Sequence, residues 1–304
     1  MTPGIHYGIS NDEYHHGAGI SKSGLDLVEV SPLHYWDKYL RPRTEEELVE
    51  QEERKEHFKI GTAIHTAILE PDEFHDRYIV LPEDAPKRPS KTQLNAKKPS
   101  ADTLYAIGWW ESMDATLADK GAEILTKEEL EICSAVAGST QASRIGKRVF
   151  SEPGVAEVSV YWDDPETGVL CKCRPDWLLT PHSTPAILDV KSTRSAHPDE
   201  FAKSAWNYNY HVAAAWYLDG YEHATGERPD SFMFLAIEKV SPWACAWYFA
   251  DEGMIEAGRR QYRKALNTYA DCLNKGEWPG YSDKLLGLSL PKWAEAQLLG
   301  GATD

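Results

Sequence analysis

The 304-residue chain is 42% hydrophobic and 26% charged, the balance of an ordinary globular protein long enough for a sizeable core, and it holds no long apolar run for a membrane span. Its formal net charge of −16 argues against tight, sequence-independent binding of nucleic acid by a monomer, which calls for a basic surface. Five cysteines without a C-x-x-C pair, and an N-terminus MTPGIHYGISNDEYHH lacking the basic and apolar regions of a signal peptide, point to a cytoplasmic protein with free thiols.

After a turn-rich start, Ser21 is placed to cap a short amphipathic helix over KSGLDLVEV, and Ser31-Pro32 opens another with Pro32 at its first position. The acidic stretch TEEELVEQEERKE at 44–56 reads as an exposed helix. KIGTAIHTAILE, at 59–70, reads as a buried helix in which Ile60, Ala63, Ile64, Ala67 and Ile68 recur at helical spacing. His65 stands beside that stripe, where a core histidine and a metal ligand are both compatible with its position. Residues 82–100 form a Pro/Lys-rich loop; between Pro86 and Ser100 it carries five Lys or Arg and no acid, which suits a solvated surface or contact with phosphate. Residues 101–150 read as two helices, the second opened by a capping box of Thr126 and Glu129.

The period then changes to two. AEVSVYW (156–162) and VLCKCRPDWLL (169–179), joined by the turn sequence DDPETG, read as a hairpin. Its second strand is expected to show Lys172, Arg174 and Asp176 on one face and Cys171, Cys173 and Trp177 on the other. PHSTP turns the chain into a third strand, AILDVKS, where Ile187, Asp189 and Lys191 share a face. A helical region over 198–224, two strands (DSFMFLAIEK and WACAWYFA), a long helix over 252–274 and an aromatic, Pro-interrupted tail complete the chain. This order predicts an α/β or α+β protein with a mixed central β-sheet flanked by helices.

Asp176 and Asp189 offer the oxygen ligands that Mg²⁺ takes, and phosphodiester hydrolysis needs the activated water and charge neutralisation that such an ion supplies. Lys191 is suited to stabilise developing negative charge, or to orient or deprotonate a water, and Arg174 and Lys172 to contact phosphate. Cys171 and Cys173 read as core. His197-Pro198-Asp199 offers a competing H-x-D pattern for an Fe(II) oxygenase.

GTAIHTAILEP, CRPDWLL, ILDVKST and YHVAAAWYLDGY, in this order, resemble the RecE-type exonucleases and their phage relatives, in the RecB-like group of the PD-(D/E)XK nuclease superfamily. GISNDEYHHGAGISKSGLDLV and WPGY…LPKWA extend the resemblance over nearly the whole chain. It implies an α/β restriction-endonuclease-like core in a single nuclease domain over 1–304: an N-terminal helical extension (1–58), the core (59–275) and a C-terminal tail (276–304). By position it makes His65, Asp176 and Asp189 metal ligands together with the Val190 carbonyl, Lys191 the catalytic lysine, and Tyr217 a substrate-binding residue. Glu157 is expected to stand behind the ligands, and Ala213 occupies the position where the family carries Gln.

The resemblance further implies Mg²⁺, with Mn²⁺ as a substitute, and processive 5′-to-3′ degradation of one strand of linear double-stranded DNA. The 3′ overhang would serve a RecT-like single-strand annealing protein. The resemblance also implies a ring-like homo-oligomer, a tetramer, which would gather the few basic residues around a channel. The alternative is a non-catalytic DNA-end or recombinase-binding module of the same fold, toward which Ala213 points weakly.

Overall fold

The computed structural model describes residues 1–44, 47, 59–180, 184–292 and 294. Most of the acidic stretch at 44–56, part of the PHSTP turn and the end of the tail therefore lie outside the described residues.

Among the described residues, ten strands fall into three sheets. The central sheet has the order β10 (Cys245–Phe249), β9 (Ser231–Glu238), β8 (Ala186–Thr193), β7 (Trp177–Leu179) and β4 (Gly154–Ala156). Only the β8–β9 pair is parallel, running from Ala186 opposite Ser231 to Thr193 opposite Glu238; the other pairs are antiparallel. The sheet is mixed, as its element order predicts, and two consecutive helices, Pro198–Asn207 and Tyr210–Thr225, make the β8–β9 crossover that a parallel pair requires.

Period-two alternation sends the residues of β8 into two cores. Ile187 packs with Phe232, Phe234, Trp216 and Tyr262 beneath the helices Tyr210–Thr225 and Glu252–Lys275. Leu188 and Val190 pack with Leu235 and Ile237 against Ala63, Ile64 and Ala67 of the helix Lys59–Leu69 and Val136 of the helix Lys127–Ala142. Burying both faces of a strand that carries Asp189 demands that this charge be accommodated. The two helices over the first core meet closely: a Cβ on Gly258 would lie 2.0 Å from the His211 carbonyl oxygen.

The predicted hairpin is present but broken on both strands at the same level. AEVSVYW divides into β4 and β5 (Ser159–Asp163), and VLCKCRPDWLL into β6 (Leu170–Cys173) and β7. β5 and β6 pair with each other and with β1 (Gly4–His6) in a second, antiparallel sheet, while β4 and β7 pair within the central one. Pro175 cannot donate to a ladder, and Glu157, opposite the next residue Asp176, turns the chain through φ +50°. The remaining sheet pairs β2 (Tyr78–Val80) with β3 (Glu123–Leu125) in parallel.

Other expectations are met in detail. The Thr126–Glu129 capping box forms, and Ser21 caps the helix Lys22–Val30. The five cysteines are free, and all but Cys245 are buried. Among the described residues no helix is long and apolar enough to cross a membrane.

Candidate active site

The break in the hairpin delivers two carboxylates to one corner. Glu157 donates its backbone N–H to the Asp176 carbonyl at 3.1 Å, so the two turning points brace each other. The Asp176 side chain is fixed in turn by β8: the Val190 N–H donates to its Oδ2 at 2.7 Å. From the helix Lys59–Leu69, His65 brings Nδ1 to 3.6 Å from the same oxygen. One ligand atom from each of His65, Glu157 and Asp176 can be chosen so that all lie within 4.8 Å of one another, the arrangement of donors that holds a cation.

Asp189 adjoins this corner from the middle of β8 and is only 2% exposed. Lys191 Nζ lies 2.6 Å from its Oδ2, yet that oxygen has no aligned hydrogen bond. A buried carboxylate oxygen held by charge alone is an incomplete site. Lys191 is itself largely buried and rests over the Tyr210 ring, 5.2 Å from its centroid.

The carboxyls feel one another. Burial and the Asp176 charge push Glu157 up to about 8, with Arg174 opposing. Burial pushes Asp189 up to about 7; Lys191 pulls it down and Asp176 raises it further. Burial alone would lower Lys191, but Asp189 and Asp176 outweigh it and hold the ammonium above its ordinary value. Burial, then the Asp189 charge, raises the largely buried Tyr217 phenol, whose ring lies within electrostatic reach of the cluster. Crowded anions of raised pKa are relieved by a divalent cation, and the donor set of carboxylate oxygens with one imidazole suits the hard ions of the Mg²⁺/Mn²⁺ class.

The structure thus brings together His65, Asp176, Asp189, Lys191 and Tyr217, and sets a Glu157 carboxylate oxygen within ligand reach of His65 and Asp176. Sequence reasoning underrated Glu157 because its position depends on the hairpin break; the one signal for that break is Pro175 within a strand pattern. The expectation that Lys172 and Arg174 contact phosphate is corrected. Lys172 is 4% exposed and spends its ammonium on the carbonyls of Tyr14 and Gly17 at 2.6 and 2.7 Å. Arg174, 7% exposed, donates to Ser159 Oγ, Asn11 Oδ1 and the Ile9 carbonyl and lies over the Tyr14 ring. Both cations clamp the N-terminal segment onto the second sheet, and the break at Pro175 separates them from Asp176. His197 is an exposed helix cap that accepts from the Asp199 N–H, and His65–Glu157–Asp176 is the one metal-capable cluster found among the described residues, so the H-x-D reading has no site. Ala213 is buried in the helix Tyr210–Thr225.

Residues 37–286 match a family described as a PDDEXK-like domain of unknown function. A solved structure of a candidate exonuclease from Eubacterium rectale, 13% identical, aligns over 97% of each chain with a TM-score of 0.50, a likeness of fold. An alkaline exonuclease from Laribacter hongkongensis, 14% identical, aligns over 61% of this chain and 89% of its own with a TM-score of 0.27. No protein of curated function matches the sequence.

Proposed function

The chain belongs to the family of PDDEXK-like domains of unknown function, and from that premise we propose that it is a divalent-metal-dependent exonuclease acting on linear double-stranded DNA. The observation that carries the reading is the convergence of His65, Glu157, Asp176 and Asp189 beside Lys191 at the centre of the sheet. These are residues that hold a hard cation and a phosphate in one place.

In this reading His65 offers an imidazole nitrogen, and Glu157, Asp176 and Asp189 offer carboxylate oxygens, to Mg²⁺ or, in its place, Mn²⁺; the Val190 carbonyl, next to the N–H that steadies Asp176, completes the set. When bound, such an ion neutralises phosphoryl oxygens and lowers the pKa of water. Hydrolysis adds water across the P–O bond: hydroxyl goes to phosphorus, and the proton goes to the departing sugar oxygen. Lys191, kept charged by Asp189 and Asp176, sets positive charge where the phosphoryl group becomes more negative. Tyr217 orients the strand from the helix Tyr210–Thr225.

The resemblance to RecE-type enzymes supplies the finer features: degradation from the 5′ end, a 3′ overhang handed to a RecT-like annealing protein, a tetrameric ring and a cytoplasmic location. The deciding experiment digests linear duplex labelled at its 5′ or 3′ end, beside closed circular DNA, with and without Mg²⁺, using wild type and Asp189→Ala. Metal-dependent release of 5′ label from linear DNA alone, abolished by the substitution, is expected. DNA binding without hydrolysis would make the chain a non-catalytic end-binding module instead.

A further inference from the structure

The crossover between β8 and β9 carries an exposed aromatic ledge beside the candidate active site. The helices Pro198–Asn207 and Tyr210–Thr225 are separated by Tyr208 and by Asn209, a non-glycine residue at φ +54°. At this junction Trp206 is 70% exposed and Tyr208 is 64% exposed. Neither ring stands alone. The Trp206 indole lies over the His211 imidazole with centroids 5.5 Å and planes 11° apart, and Tyr208 stacks on Tyr210 at 5.8 Å and 27°. Tyr210 is the ring over which Lys191 rests. A run of aromatic faces therefore leads from solvent to the lysine of the site.

The mount is rigid. Lys22 Nζ donates to the Tyr208 carbonyl at 2.8 Å. The Asn209 amide donates to Asp26, and Gln261 donates to Asn209 Oδ1 and Glu29 while meeting His211 Nε2 at 2.7 Å. The two acids tied to this junction, Asp26 and Glu29, are thus engaged with Lys22, Asn209 and Gln261. A surface loop with no partner has no need of a left-handed asparagine and three long-range polar ties to hold two large rings open to water.

We propose that Trp206 and Tyr208 form a stacking platform for unpaired bases of the DNA strand whose backbone enters the site, a reading that rests on the proposed nuclease function. Flat rings held with one face covered and the other open accept any base, because every base has a π-face, and so give affinity without sequence choice. Stacking also offers an acidic chain a grip on DNA that does not depend on phosphate. Trp206 and Tyr208 act as positioning residues; they do not touch the reacting atoms.

The test measures anisotropy of labelled single-stranded oligonucleotides, one normal and one abasic over its central positions, binding to an Asp189→Asn background that does not consume them. Trp206→Ala with Tyr208→Ala is expected to weaken binding of the normal strand by roughly tenfold or more per stack lost, to leave the abasic strand unchanged, and to be rescued by Trp206→Phe with Tyr208→Phe. In the otherwise wild-type enzyme the alanine pair should raise KM with little change in kcat. Equal losses on both strands, or no loss on either, would overturn the platform. If the alanine pair does not fold, Trp206→Ala alone carries the same comparison. Base-dependent binding without any metal-dependent hydrolysis would sustain the platform while refuting the nuclease reading; hydrolysis with binding indifferent to the rings would do the reverse.

Discussion

Replacing Asp189 with asparagine tests the site most directly. The side chain is 2% exposed, its Oδ2 lacks an aligned hydrogen bond, and burial pushes its carboxyl up to about 7 against the pull of Lys191. A rise from 3.8 to about 7 means the ionised form is destabilised by on the order of 4 kcal/mol. The folded-state value lies above the unfolded one, so the stability this group contributes is complete below about pH 4 and is lost as the pH rises through about 7. Metal-free wild type should therefore lose stability relative to Asp189→Asn between about pH 4 and 7, and no further above that, although the variant leaves the Lys191 ammonium poorer by one partner. A divalent cation reverses the penalty: at a hundredfold its dissociation constant it adds about 2.7 kcal/mol, or roughly 4 °C in Tm for a chain of this size. Thermal unfolding with and without Mn²⁺ at about pH 8 should show that shift in wild type and less than about a third of it in the variant. A full shift in Asp189→Asn would remove Asp189 from the ligand set, and parallel pH–stability curves would remove the buried charge from the argument.

Glu157→Gln keeps the shape of a residue at φ +50° but removes a charge from the cluster, so Mn²⁺ affinity measured by calorimetry should fall by about tenfold or more, and unchanged affinity would return Glu157 to a supporting place. Arg174→Ala orphans Ser159, Asn11 and the Ile9 carbonyl and should cost about 2–4 kcal/mol in chemical unfolding, while the folded fraction binds DNA as wild type does; a specific loss of DNA affinity would restore the phosphate-contact reading. Burial raises the Asp219 carboxyl, but hydrogen bonds from Arg259 and Tyr262 outweigh this and hold it below its ordinary value. Asp219→Asn should thus destabilise the protein at neutral pH and progressively less as the pH falls below about 4, where the wild-type advantage is lost; a penalty independent of pH would contradict this. Lys97 and Lys98, exposed in the loop spanning 82–100, should each contribute about 0.9 to the log–log salt slope of DNA binding if they meet phosphate, so Lys97→Glu with Lys98→Glu flattens that slope by about two, and an unchanged slope assigns the loop to solvent.

What the sequence disclosed depends on how local each signal is. AILDVKS is visible because a strand buried on both faces reads as an apolar run, and Asp189 and Lys191 interrupt it. The helix Lys59–Leu69 is visible because Ala63, Ile64, Ala67 and Ile68 repeat at 3.6 residues. The hairpin break is marked by Pro175 alone, because alternation continues in the letters on both sides of Arg174-Pro175-Asp176 while the backbone turns. An unbroken strand would keep Lys172, Arg174 and Asp176 on one face, and that assumption carried the two cations to the wrong place. Their true partners, Tyr14, Gly17, Ile9 and Asn11, lie about 160 residues earlier, beyond any periodicity. Glu157 belongs to the same failure, since nothing in AEVSVYW marks it for the left-handed region that brings it to Asp176.

The charge that first argued against DNA now bears on the order of events. With all groups ionised, Glu157, Asp176 and Asp189 against Lys191 leave the centre of the site at about −2, and a phosphate approaching it is repelled at short range through a low-dielectric wall. One divalent cation cancels that charge. On the proposed function, a bound ion would act on admission of the strand before it acts on hydrolysis, and the metal dependence of DNA binding at the site should be as steep as that of cleavage. The chain as a whole, at −16 with the site included, adds repulsion, so grip away from the metal has to come from a few local features: the basic loop at 82–100 for the duplex and, on the inference above, the rings of Trp206 and Tyr208 for the unpaired strand. If the proposed function holds, this chain trades long-range steering for a site that would accept phosphate only when loaded with metal.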